Sequence, residues 1–231
     1  MPPELIAHRG ASRECRENTL PAFVRALELG ADGIELDVHA SSDGVIVVHH
    51  DFVPRANAAS AQLEGRPIAE LTASELRQFR FPDGSAIPEL REVIDLVGDR
   101  AVLYVEQKGR GIERAVLECL AAGPGRYAMH SFDHGAMKRV RSDTKAMPTG
   151  ILLSSSLIEP EHTLQVADAR DYWQSLEFAD APLVERVHAV GGRVIVWTVN
   201  RAADAAALAS IGVDGVCTDD LRAVGAAIGR A

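Results

Sequence analysis

The stretch Leu5-Ile6-Ala7-His8-Arg9-Gly10 is an apolar run that ends on an imidazole, a guanidinium and a glycine. A short apolar run closed by a turn signal reads as a buried strand. A helical pattern follows over 19–29, where Asn18 or Thr19 supplies a cap and Gly30 a stop. Gly33-Ile34-Glu35-Leu36-Asp37-Val38-His39 is then a second strand. Strand, helix, strand is the unit of a parallel α/β sheet, and here it recurs to the end of the chain. Strands are expected near 4–8, 33–39, 45–49, 101–107, 126–131, 149–153, 173–178, 193–199 and 214–218. Helices are expected near 19–29, 72–80, 88–97, 111–122, 133–141, 160–169, 181–190, 202–211 and 220–229. The run at 45–49 follows its predecessor through the tight Ser42-Asp43-Gly44 turn, so it is a local extension. Eight strands remain, and eight close a (β/α)8 barrel. The alternative is an open doubly wound sheet, but Gly10 stands alone without the Gly-x-Gly-x-x-Gly loop of that fold. Residues 51–87 carry little periodicity and read as an insertion with one or two short helices over the C-terminal face of the barrel.

The 231 residues, 47% hydrophobic and 25% charged, show no change of composition that marks a linker, so residues 1–231 are expected to form one domain. A net charge of -9 argues against nucleic acid as a partner, because phosphate backbones are held by broad basic surfaces. An anionic small molecule then needs local basic residues. Cys15, Cys119 and Cys217 are odd in number and lack metal-ligand spacing, which describes neither a disulfide framework nor a zinc site. Met1-Pro2-Pro3-Glu4 runs straight into a strand pattern, and no apolar stretch approaches a membrane span, so the expected location is the cytoplasm. The sequence leaves the oligomeric state open.

Residues two apart on a strand share a face, so Glu35 and Asp37 bring their oxygens together. Ile34, Leu36 and Val38 make the opposite face a buried one, and carboxylates kept in a central strand call for a cation or a basic partner. Glu106 and Lys108 repeat the spacing at the end of Val102-Leu103-Tyr104-Val105. That pair reads equally as a strand-end salt bridge and as the completion of a cation site, with Lys108 placed to hold a phosphate. His8 and either His49 or His50 reach the same rim, because alternation sends the last two to opposite faces. His39, His130, His134, His162 and His188 read as structural.

His8-Arg9-Gly10, Glu17-Asn18-Thr19, Glu35-Leu36-Asp37 and His50-Asp51 resemble, in order and spacing, the signature of the glycerophosphodiester phosphodiesterase family. The similarity continues through Ile87-Pro88, Val105-Glu106-Gln107-Lys108, Ser131-Phe132-Asp133, Val196-Trp197-Thr198-Val199-Asn200 and Gly212-Val213-Asp214-Gly215. The resemblance implies a TIM-type barrel that uses one divalent cation, Mg2+ or Ca2+, to hydrolyse glycerophosphodiesters to glycerol 3-phosphate and an alcohol. It places the metal ligands on Glu35, Asp37 and Glu106, and it selects His8 and His50 as the catalytic pair. Arg9 and Lys108 match phosphate-binding positions, and Trp197 matches a substrate-facing aromatic. Hard oxygen ligands favour magnesium, calcium or manganese over zinc.

The chain departs from the family pattern in several places. Arg16 replaces a common proline, Arg55-Ala56-Asn57 keeps only the arginine of an Arg-Thr-Thr segment, and Gln107 and His130 stand where apolar or small residues are usual. Two rival readings share much of this toolkit. A lysophospholipase D acting on acylated substrates needs an apolar groove, which the scattered apolar residues of 51–87 do not offer. A binding barrel without catalysis needs no proton donors, yet the histidine pair is intact.

Overall fold

A computed structural model describes residues 2–54, 63 and 65–230. Strand β1 (Glu4–His8) leads through helix α1 (Leu20–Glu28) to strand β2 (Gly33–Ala40), and the two strands pair in parallel. Thr19, in extended conformation, accepts the Ala22 N–H at its hydroxyl, and Pro21 occupies the first turn, where no N–H is needed. Gly30 leaves the helix at φ +73°, in the left-handed region that favours glycine. Strand β3 (Ile46–Val48) then folds back antiparallel on β2, as expected of an extension.

The 51–87 insertion contains a 3-10 turn at Ile68–Glu70 and helix α2 (Ala73–Gln78), whose Thr72 and Glu75 cap each other reciprocally. Its apolar residues Leu63, Ile68, Leu71, Leu76, Phe79, Phe81 and Ile87 pack with Val47 into a small core of their own. The Arg55-Ala56-Asn57 segment lies outside the described residues. After α3 (Leu90–Val97) the alternation is regular: β4 (Val102–Gln107), α4 (Glu113–Ala121), β5 (Arg126–Ser131), α5 (His134–Asp143), β6 (Thr149–Leu153) and α6 (Pro160–Ala167). The chain continues through β7 (Asp171–Ser175), α7 (Ala181–Ala189), β8 (Arg193–Trp197), α8 (Ala202–Ser210), β9 (Gly215–Thr218) and α9 (Leu221–Ala227). β9 returns to pair with β1, so eight parallel strands close a TIM barrel with β3 attached outside the ring.

One strand departs from the sequence expectation. The run expected at 173–178 is Asp171–Ser175, and Leu176–Phe178 is a 3-10 turn. Asp171, which lies before the expected run, is buried at the lower end of the barrel. There Arg170 meets it at 2.6 Å and Arg193 at 3.4 Å. Arg193 also holds Glu4 at 2.7 Å, so the lower end is closed by a charge network.

Inside the barrel, above this network, lie Ile6, Tyr104, Ala128, Leu152, Trp173, Ile195 and Cys217. Two glycines make room for the large rings. A Cβ on Gly33 would stand 2.7 Å from the Tyr104 ring, and one on Gly150 would stand 2.8 Å from the Trp173 indole. Tyr104 and Trp173 meet edge to face with centroids 5.3 Å apart and fill the lower half of the barrel. The upper half is left for polar side chains.

Candidate active site

The parallel register sets the polar side chains beside one another. His8 on β1 is level with Glu35 on β2, Asp37 with Glu106 on β4, and Glu106 with His130 on β5. With Arg9, His50, Lys108, Phe132 and Trp197 they form or adjoin one cavity of about 260 Å³ at the C-terminal end of the barrel. Trp173 and Leu152 form part of its lining.

Arg9 is the hinge of the arrangement. Its backbone is left-handed, at φ +57°, a strained conformation for a non-glycine residue. In that conformation its N–H donates to Glu35 Oε2 at 3.0 Å, while its guanidinium lies 3.2 Å from both Asp37 Oδ2 and Glu17 Oε2. Gly10, at φ +81°, carries the turn onward, and a Cβ there would approach Ala22 of α1 to 2.8 Å. The His-Arg-Gly order thus has a packing cause as well as a chemical one. Asn18, also left-handed, does not cap α1. It donates Nδ2–H to Asp37 Oδ2 at 2.8 Å and fixes the carboxylate.

Lys108 bridges two carboxylates, with Nζ 2.6 Å from Glu106 Oε1 and 3.4 Å from Asp37 Oδ1. Glu35, Asp37 and Glu106 are all buried. Burial and the Asp37 and Glu106 charges push the Glu35 carboxyl well above its usual range. Burial, with Asp37 beside it, raises Glu106 to about 7. Burial raises Asp37 too, but Lys108, Arg9, His50 and Asn18 outweigh it, and its pKa falls below the usual value. Three carboxylates against two fixed cations leave the cluster short of positive charge, and the raised carboxyls express that shortage as an affinity for protons. One oxygen from each of Glu35 and Glu106 and one nitrogen of His130 lie within 4.8 Å of one another. Donors bound to one cation at about 2.0–2.5 Å each are at most about 4–5 Å apart, so these residues can hold a divalent ion.

His8 and His50 are each anchored through Nδ1. His8 donates to Asp219 Oδ1 at 2.7 Å, and Ser12 Oγ at 2.9 Å and Asn200 Nδ2 at 2.6 Å fix that carboxylate. Burial opposes ionisation of Asp219, but its hydrogen bond and charge contact with His8 outweigh it and bring the carboxyl to about 2. His50 donates to Asp51 Oδ1 at 2.8 Å. Both rings line the cavity, with Nε2 left to exchange a proton there. His49 packs instead against Phe81, with centroids 5.9 Å apart, and burial lowers it to about 4. His50 thus faces the cavity and His49 faces the insertion.

Residues 8–223 match the Glycerophosphoryl diester phosphodiesterase family. The chain belongs to that family. The glycerophosphodiester phosphodiesterase of Caldanaerobacter subterraneus subsp. tengcongensis is 33% identical to it, over 94% of this chain and 93% of the relative. The solved structure of an Oleispira antarctica phosphodiesterase, in complex with the product sn-glycerol-3-phosphate, superposes with a TM-score of 0.88 at 26% identity. It covers 98% of this chain and 97% of its own. A Thermotoga maritima glycerophosphodiester phosphodiesterase gives a TM-score of 0.80 at 29% identity over 95% of each chain. This member of the glycerophosphodiester phosphodiesterase family is accordingly a hydrolase of the phosphodiesterase class.

Within this family member, His8, Arg9, Glu35, His50, Glu106, Lys108 and Trp197 all line the one cavity, and Asp37 sits against it through Lys108 and Arg9. Trp197 is half-buried and meets Phe132 edge to face at 5.7 Å, forming an aromatic wall. Sequence reading missed three partners. Asp219 lies 211 residues from His8 in the chain, and only closure of β9 onto β1 joins them. Asn18 stands in the Glu17-Asn18-Thr19 signature, but its suitability as a cap conceals its role at Asp37. His130 reads as structural in sequence, and its departure from the family pattern and its place near the end of β5 are the signals that set it apart.

Proposed function

We propose that the chain hydrolyses glycerophosphodiesters to glycerol 3-phosphate and an alcohol, with one divalent cation held by Glu35, Asp37 and Glu106. The observation that carries this reading is the shared cavity, where two carboxylate-anchored histidines flank a buried cluster with an excess of one negative charge. Held by these residues, a divalent cation would supply the missing charge and Lewis-acid stabilisation of the phosphate. The site then carries one net positive charge, which a phosphodiester neutralises. Mg2+ or Ca2+ suits the carboxylates, and Mn2+ is compatible with them.

Arg9 and Lys108 share the phosphate's charge as the transition state forms. One of His8 and His50 takes a proton from the nucleophile through Nε2, and the other protonates the departing alkoxide. The nucleophile is water or the neighbouring glycerol hydroxyl. Trp197 and Phe132 flank the glycerol. The leaving alcohol extends into an adjoining groove of about 500 Å³, where Phe52 and Phe132 alternate with Lys108, Arg110 and Asp133. Mixed walls suit a short polar alcohol. Leu63, Ile68, Leu71, Leu76, Phe79, Phe81 and Ile87 of the insertion are spent in their own core and, among its described residues, Phe52 reaches the groove, which supports an unacylated substrate. This reading takes residues 1–231 as one catalytic domain, working in the cytoplasm on a small molecule. Among the described residues no helix is long and apolar enough to cross a membrane.

The decisive experiment incubates the purified protein with glycerophosphocholine and, separately, lysophosphatidylcholine. Glycerol 3-phosphate released from the first, stopped by a chelator and restored by Mg2+ or Ca2+, is the expected result. Binding without release, or release indifferent to chelation, overturns the proposal.

A further inference from the structure

His130 is fully enclosed at the end of β5, 1% exposed, with its ring stacked flat on Trp173 at a centroid distance of 4.2 Å and an angle of 6°. Its hydrogen bonding is unlike that of His39, His134 and His188. His39 Nε2 is 3.2 Å from the His50 carbonyl, His134 Nε2 is 2.9 Å from the Leu152 carbonyl and His188 Nε2 is 2.8 Å from Asp214. His130 Nδ1 has no hydrogen-bond partner, and Nε2 lies 3.9 Å from Glu35 Oε1, beyond hydrogen-bonding reach. An imidazole kept at such a place without partners costs stability that a leucine or phenylalanine would not. The flat stack on Trp173 holds the ring beside the carboxylates. Its nitrogen joins one oxygen each of Glu35 and Glu106 in the group that lies within 4.8 Å.

We infer that His130 is a nitrogen ligand of the site's cation whenever that ion accepts imidazole, as Mn2+ does, and that it tunes the site toward such ions. This inference rests on the proposed cation-dependent hydrolysis and adds a donor to its three carboxylates. Mg2+ and Ca2+ gain little from a nitrogen donor, whereas Mn2+, Co2+ and Zn2+ accept a mixed set of carboxylate and imidazole ligands. Loss of His130 therefore separates the two classes of ion. Co2+ affinity should fall about 10- to 100-fold, while Mg2+ affinity changes by less than about threefold, since only the carboxylates serve it.

The test reads the bound ion directly. Pulsed EPR of the Mn2+-loaded wild-type protein should show a directly coordinated 14N nucleus. In the Mn2+-loaded His130→Phe protein, which keeps an aromatic ring against Trp173, that coupling should vanish while the ion remains bound. Calorimetric titration of both proteins with Co2+ and Mg2+ supplies the affinities. His130→Gln serves if His130→Phe does not fold. Absence of nitrogen coupling in the wild type overturns the inference, as does coupling that persists in the variants or an equal loss of Co2+ and Mg2+ affinity. Failure of the wild type to bind any of these ions overturns the cation-dependent reading as well, so the two failures are told apart.

Discussion

Replacing Asp219 by asparagine tests whether the His8–Asp219 pair positions the catalytic imidazole. The carboxylate accepts from His8 Nδ1 and Ser12 Oγ at Oδ1, and from Asn200 Nδ2 at Oδ2. An amide has one acceptor oxygen for these three donors. If the oxygen turns to Asn200, the NH2 faces His8 and demands an unprotonated Nδ1, which moves the proton to Nε2 and spoils the ring for proton removal. If it turns to His8, a donor is set against the Asn200 amide. A hydrogen bond to a charged group contributes about 1.5–3 kcal/mol, or about 10- to 150-fold in rate. The Asp219 side chain is 32% exposed, so solvent screening favours the lower part of that range, and we expect kcat to fall about 10- to 50-fold. Steady-state release of glycerol 3-phosphate measures it. KM and Mn2+ affinity should stay within about threefold, because Asp219 touches neither the carboxylate cluster nor Lys108. A folded variant with kcat within threefold of wild type would refute the positioning role.

Three more outcomes are expected. His8→Ala and His50→Ala should each lower turnover by at least about 100-fold while Mn2+ binding by EPR persists, and substantial activity in both variants would sink the acid/base scheme. Cation binding should weaken as pH falls below about 7, where Glu106 takes up a proton that competes with the ion. Calorimetry in buffers of different ionisation heat should find more proton release on binding at pH 6 than at pH 8.5, and equal release would contradict the raised carboxyls. Asp171→Ala leaves the half-buried Arg170 and Arg193 facing an unfilled place in the barrel floor. Removing one partner of a buried pair costs about 3–5 kcal/mol, which the partial exposure of the arginines reduces to about 2–4 kcal/mol. For a chain of this size the loss lowers Tm by roughly 5–12 °C. An unchanged Tm in thermal denaturation would show that the floor network is not structural.

What could be read from the sequence follows the range over which each residue acts. The barrel was legible because each strand and its crossover helix declare themselves within about thirty residues, through apolar runs and the Thr19 and Gly30 signals. Glu35 and Asp37 were legible because alternation on a single strand already puts them on one face. The β7 boundary was not, since Asp171 is held in the floor by Arg193 of another strand as well as by its neighbour Arg170. Asp219 and His130 were hidden for the same reason. Their meaning depends on closure of the ring and on which neighbours satisfy their polar atoms.

The depth of the catalytic cluster has its origin in residues that carry no chemistry. Gly33 and Gly150 surrender side-chain volume to Tyr104 and Trp173, and these rings fill the lower barrel. The next inward positions, Glu35, Glu106 and His130, are thereby held above a dry aromatic floor. Charges there interact more strongly than they would at an open strand end. A larger residue at Gly150 would displace Trp173 and, through the 4.2 Å stack, His130. Two glycines in the lower barrel thus set the depth at which the upper carboxylates and His130 sit.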